Sequence, residues 1–178
     1  MTSGAPSSRR RIYWDSGCFI CFLNQSEIER RAICEDILRN AQNGNVILYT
    51  STFTITEVIY PKRSSLPGAR RLTSHEVEQI SKMFRWRWLK KINNDQRVAF
   101  RAVELARDYG LLPGDAIHAA TAILEQVDAL QAWDRDFSHV AHLVNVEEPS
   151  RMSVQSSFDE ILARIGPHPD DFAPQHPS

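Results

Sequence analysis

LLPGDAIHAATAILEQVDALQAWDRDF, residues 111–137, is the stretch whose reading decides the fold. An apolar helical pattern runs from Asp115 to Val127, and an apolar run of strand character follows over residues 129–133. That run stops abruptly at an acidic pair, Asp134 and Asp136. Carboxylates aimed at the edge of a core need a counter-charge. They are read as half of a divalent-metal site whose other half lies upstream, at Asp15 and Glu57.

Working outward, the same alternation recurs along the chain. Residues 11–14, RIYW, are β-prone and end at Asp15, and residues 16–23 are apolar enough for a buried helix. Ile28, Ala32, Ile33, Ile37 and Leu38 give residues 27–43 helical spacing, with Gly44 as the stop. VILY at 46–49 reads as a buried strand. Thr50 or Ser51 then caps a helix that carries Glu57 in mid-course and ends at Pro61. Residues 64–71 are a loop. Thr73 and Glu76 form a capping box for a helix to about residue 85. Residues 86–92, with alternating basic side chains, are expected to be a strand, and residues 95–109 a helix closed by Gly110. LVNV at 143–146 is expected to be the last strand, and residues 157–165 a terminal helix. Strands alternating with helices imply an α/β domain with a mostly parallel sheet of four to five strands. The expected layout is a disordered segment at 1–8, a domain at 9–149, and an extension at 150–178 with a short helix and a Pro-rich tail.

A chain of 178 residues, 42% hydrophobic and 24% charged, can fold as one domain around its own core. Its net charge of −1 says nothing about a polyanionic partner, but the local balance does. From Lys62 to Arg107 there are twelve basic residues against four acidic ones, so a basic region faces an acidic remainder, a layout suited to a nuclease or to a solvated helical surface. Cys18, Cys21 and Cys34 are too few for a disulfide framework and lack the partners of a zinc site, so they read as small core residues. With no apolar leader and no apolar run of membrane length, a cytoplasmic location is expected.

In open α/β sheets, ligands bind beyond the carboxyl ends of the strands. Two apolar strands here end in an acid, at Asp15 and at Asp134. If they are parallel, both carboxylates lie on one rim, and Asp115, in the first turn of its helix, can face it. Glu57, one of few charges on an apolar helix face, is expected to join them. Such oxygen-only donors suit Mg²⁺ or Mn²⁺, which polarise a phosphoryl oxygen and acidify a bound water. Singly, each acid has a structural reading: Asp15 and Asp115 as helix caps, Glu57 as an ion-pair partner, Asp134 and Asp136 as turn caps. Together they occupy the places that one rim requires.

At these residues the chain resembles the PIN domain, a small nuclease fold that includes the VapC toxins of bacterial toxin–antitoxin pairs. WDSGCFI looks like the first motif, TSTFTITEVI the second, GDAIHAATA the third and WDRDF the fourth. The resemblance implies a three-layer α/β/α fold and a Mg²⁺- or Mn²⁺-dependent endoribonuclease. Asp15, Glu57, Asp115 and Asp134 would then be the catalytic acids. Asp15, Asp115, Asp134 and, secondarily, Asp136 would be the metal ligands. His118 is expected to pack or to hydrogen-bond rather than perform chemistry. The implied partners are RNA and a cognate antitoxin, and self-association as a homodimer stays open. Ala132 stands where the family often has Thr or Ser, and Gly17 where it often has Asn or Ser, which removes hydrogen bonds that orient metal ligands. Phe84, Trp86 and Trp88 are candidates to stack on RNA bases, with core packing as their other role. Two further readings are a PIN-like module that binds RNA or protein without cutting, and a haloacid-dehalogenase-like phosphatase built on Asp134-Arg135-Asp136.

Overall fold

The computed structural model describes residues 9–59 and 72–152. Five strands form one sheet: β1 (Arg10–Trp14), β2 (Val46–Ser51), β3 (Lys90–Ile92), β4 (Ala129–Gln131) and β5 (Val146–Glu147). Their order is β3-β2-β1-β4-β5, and every pairing is parallel. Helices α1 (Ser16–Leu23), α2 (Ile28–Gln42), α3 (Thr52–Ile59) and α4 (Ser74–Phe84) cover one face. Helices α5 (Gln96–Tyr109) and α6 (Pro113–Leu124) cover the other, so the domain has three layers.

The alternation of β1 distributes its side chains between the layers. Ile12 and Trp14 enter the core under α1 and α2, while Tyr13 enters the core under α5 and α6. All three are fully buried, as a central parallel strand requires. The chain winds outward from β1 to β3, crosses back beneath the sheet through α5 and α6, and resumes at β4 on the other side of β1. The strand order therefore reverses between β1 and β4, which opens a crevice at their carboxyl ends.

Most expected elements are present, with instructive differences. The expected strand at 86–92 shrinks to Lys90–Ile92. Trp86 and Trp88 stack on each other with centroids 4.9 Å apart, closer than the roughly 6.6 Å that separates residues i and i+2 along a strand. The chain must curl there, and Trp86 N–H still bonds to Met83 C=O as a helix-end turn. Phe84 is buried against Phe19, and both tryptophans pack on the core, so core packing is their structural role. The helix expected over 115–127 instead spans Pro113–Leu124. Proline at its first position has a pre-set φ. Its end is a Schellman-type turn, with Val127 N–H bonded to Ala122 C=O and Gln126 at φ 51. Strand β4 stops at Gln131 rather than Trp133, and β5 begins at Val146 rather than Leu143. Ser51, whose Oγ accepts from Phe53 N–H, is the cap of α3. The capping box at Thr73 and Glu76 and the left-handed closure at Gly110 are as expected. The expected loop at 64–71, the stop at Pro61, the helix at 157–165 and segment 1–8 lie outside the described residues.

Cys18, Cys21 and Cys34 are free and buried, as small core residues. Cys18 Sγ lies 3.3 Å from Gln131 C=O, and burial pushes the Cys34 thiol up to about 12. Because only the thiolate alkylates, iodoacetamide at pH 8 is expected to leave Cys18 and Cys34 unmodified in the native protein. All three cysteines should label in guanidinium, as read by peptide mass spectrometry.

Candidate active site

At the crevice between β1 and β4 lies an open cleft of about 720 Å³, whose lining includes Asp15, Gly17, Asp115, Trp133 and Asp134. Asp15 directly follows β1 and caps α1: its Oδ1 accepts from Cys18 N–H at 3.0 Å. That bond fixes the carboxylate at the cleft floor, where it is 6% exposed. Gly17 leaves the carboxylate room, because a Cβ there would sit 3.0 Å from Asp15 Oδ2 and press it aside by a few tenths of an ångström. Asp115 occupies the third position of α6, where the helix amides favour its charge; the cap itself is Leu112, which offers no side-chain bond. Asp134 is exposed at the cleft edge, and its Oδ1 accepts from Asp136 N–H at 3.0 Å. Asp136 opens a short 3-10 turn, Asp136–Val140.

The carboxylates act on one another. Burial and the nearby charge of Asp134 raise Asp115 to about 6, with Asp136 and Asp15 adding to the push. Burial raises Asp15 as well. The sequence thus brings Asp15, Asp115 and Asp134 to one cleft, with Asp136 acting from its margin.

Glu57 takes a different position. It reaches from α3 to the first turn of α6, where a Cβ on Gly114 would stand 2.9 Å from its Oε1. Its Oε2 is 2.7 Å from His118 Nε2, and His118 Nδ1 is 2.9 Å from the Tyr13 hydroxyl. A carboxylate only accepts, so His118 donates through Nε2 and its Nδ1 accepts from Tyr13. Burial holds the Tyr13 phenol well above its usual range, which keeps that donor protonated. The relay ties β1, α3 and α6 together, the three segments that supply Asp15, Glu57 and Asp115. His118 was expected to pack or hydrogen-bond, and it does both, 1% exposed. The relay itself was not foreseen; the signal for it was the placement of Tyr13 two residues before one acid and His118 three after another.

The carboxylates of the cleft have the donor chemistry that suits a hard divalent cation. Among the described residues, no group of three or more His, Cys, Asp or Glu side chains is gathered tightly enough to enclose an ion. Mg²⁺ asks for less than an enclosure, since one or two carboxylates plus retained waters suffice.

The sequence matches the PIN domain family over residues 12–143, which includes Asp15, Glu57, Asp115 and Asp134. The chain belongs to the PIN domain family. A segment of 71 residues is 32% identical to Ribonuclease VapC6 of Methanocaldococcus jannaschii; it covers 40% of this chain and 46% of that protein, so the chain spans about half the length of the curated relative. The fold is similar to VapC20 of Mycobacterium tuberculosis, a Sarcin-Ricin loop cleaving toxin (TM-score 0.58, 16% identity, covering 76% of this chain and 98% of that one). It is also similar to a toxin-antitoxin complex from Klebsiella pneumoniae (TM-score 0.54, 22% identity, covering 79% and 99%). A third match is VapBC2 from Rickettsia felis bound to a promoter DNA fragment (TM-score 0.53, 20% identity, covering 78% and 99%). Because the PIN match spans Asp134 and Asp136, their D-x-D pattern is internal to this domain rather than the opening of a phosphatase domain.

Two outcomes follow from the crowding. A raised carboxyl pKa means that ionised Asp115 costs stability: the cost is absent below about pH 4 and complete above about pH 6. After allowance for its partial exposure, Asp115→Asn should stabilise the metal-free protein by about 1 kcal/mol at pH 7.5 and by nothing at pH 4, measured by urea unfolding. Gly114→Ala should displace the Glu57 carboxylate and weaken its bond to His118, read in the His118 ring NMR resonances, while helix propensity worth about 1 kcal/mol offsets the crowding in thermal melts.

Proposed function

We propose that the chain is a Mg²⁺- or Mn²⁺-dependent endoribonuclease that hydrolyses RNA phosphodiester bonds, and that it is the toxin of a toxin–antitoxin pair. The observation that carries this reading is the convergence of Asp15, Asp115 and Asp134 on one open cleft at the strand switch point. The ribonuclease named among its relatives and the toxin folds it resembles support it.

When bound, a hard divalent cation supplies a Lewis acid for a phosphoryl oxygen and lowers the pKa of a coordinated water. Asp15, Asp115 and Asp134 would hold it, with Asp136 alongside. The chain's own contribution is placement. Cys18 N–H fixes one oxygen of Asp15, and the first turn of α6 presents Asp115 from the opposite side. Glu57, clamped by His118 beside Gly114, would orient water at the edge of the acidic cluster.

For the partner, the acidic cleft would receive an Arg or Lys, and the apolar surface beside it would receive a helix. Ile20 on α1 lines the cleft and is 38% exposed; Leu23 and Ile28 nearby are 39% and 76% exposed. No helix among the described residues is long and apolar enough to cross a membrane. A second reading, binding of RNA or protein without cutting, draws on Ala132 and Gly17, which offer no hydroxyl or amide beside the acids.

Cleavage of a labelled single-stranded RNA decides between them. The wild-type chain should cut it with Mn²⁺ or Mg²⁺ and not with EDTA, and Asp15→Asn and Asp115→Asn should each lower the rate at least a hundredfold. Cleavage undiminished in both variants would refute the site assignment; no cleavage by the wild type under any divalent cation would favour the binding module.

A further inference from the structure

The wall of the cleft facing the acids carries a feature that the acidic cluster does not need. Among the described residues, Arg30 and Arg135 are the basic side chains lining the cleft. Arg30 lies in the first turn of α2, with its guanidinium 4.8 Å over the Trp133 ring. Trp133 immediately precedes Asp134 and packs partly buried against the core under α1 and α2, with its Nε1 buried and making no hydrogen bond. The ring turns a face toward Arg30 and stands one residue before Asp134.

Resting on the nuclease reading above, the geometry points to Arg30 and Trp133 as a substrate subsite: the stacked guanidinium holds a phosphodiester of single-stranded RNA beside the one engaged by the acids. A polyanion entering a cleft lined by Asp15, Glu27, Asp115 and Asp134 meets repulsion unless a cation stands close by. Stacking on an indole face orients the guanidinium plane yet leaves its N–H edge free for the bidentate geometry that phosphate accepts. The fold itself gives Arg30 little reason to be there. A cation in the first turn of a helix opposes the helix dipole. Its one ion pair among the described residues, to Glu27, is long at 3.9 Å, and the side chain is 53% exposed.

The test uses the full chain with Asp115→Asn to prevent cutting, and a short fluorescein-labelled single-stranded RNA whose anisotropy is followed across a KCl series. Adding Arg30→Gln should weaken binding about tenfold and flatten the slope of log K against log salt by about 0.7, the value for one phosphate contact on a single strand. Arg30→Lys should keep the slope but recover only part of the affinity, because an ammonium cannot present a stacked fork. Full recovery with Lys would overturn the stacked-fork assignment. Unchanged affinity and slope in Arg30→Gln would show that Arg30 merely shields Trp133, and would overturn the subsite. Metal-dependent cleavage by the wild type, run alongside, separates the two claims: cleavage with unchanged binding removes the subsite alone, whereas neither cleavage nor binding removes both.

Discussion

The parallel pairing of β1 with β4 is the constraint on which the site depends. Register sets Trp14 beside Gln131, so Asp15 and Asp134 emerge from the same rim of neighbouring strands. The pairing is locked from both ends of the interface. Trp14 Nε1 donates to Gln131 Oε1, Gln131 Nε2 donates to Glu147, and Asp128 Oδ2 accepts from Arg11 N–H where β4 begins. A buried glutamine between a tryptophan and a glutamate is tolerable only because both ends of its amide are satisfied. A slip of β1 by one residue would break the Trp14–Gln131 and Arg11–Asp128 bonds and turn Asp15 away from the crevice.

Around that rim the protein accepts a local cost. Asp15 is buried, and burial together with the nearby Asp134 charge raises Asp115 to about 6, so the cleft stores repulsion that a bound cation would relieve. The surroundings are arranged to bear it. Cys18 N–H and the α6 amides stabilise two of the charges, and the relay Tyr13–His118–Glu57 gives a fourth carboxylate, outside the cleft lining, a hydrogen-bonded partner.

The acids were legible because strand and helix patterns each have a fixed period. RIYW ending at Asp15, an apolar run ending just before Asp134 and a helix opening near Asp115 place three carboxylates at element ends, which is where open α/β sheets put their ligands. Glu57 was harder to place, since mid-helix position gives its face but not its neighbour. What it touches depends on how closely α3 approaches α6, a distance that Gly114 permits and no local pattern encodes. Trp86 and Trp88 were misread as strand for a related reason: alternation describes a strand, but it equally suits two rings curling to stack.

By itself, the sequence determined the order of elements, the parallel α/β class, the buried cysteines and the acids at strand and helix ends, because each follows from local periodicity, capping chemistry or side-chain type. The tertiary structure alone decided that β4 returns beside β1 and that three acids share one cleft. It also decided that Glu57 answers to His118 and that Arg30 lies over Trp133. The strand pairing, the Glu57–His118 bond and the Arg30–Trp133 contact join residues between 61 and 117 positions apart. Pairings at such separations are chosen by global packing and register, and no window of sequence short enough to carry a pattern contains both partners.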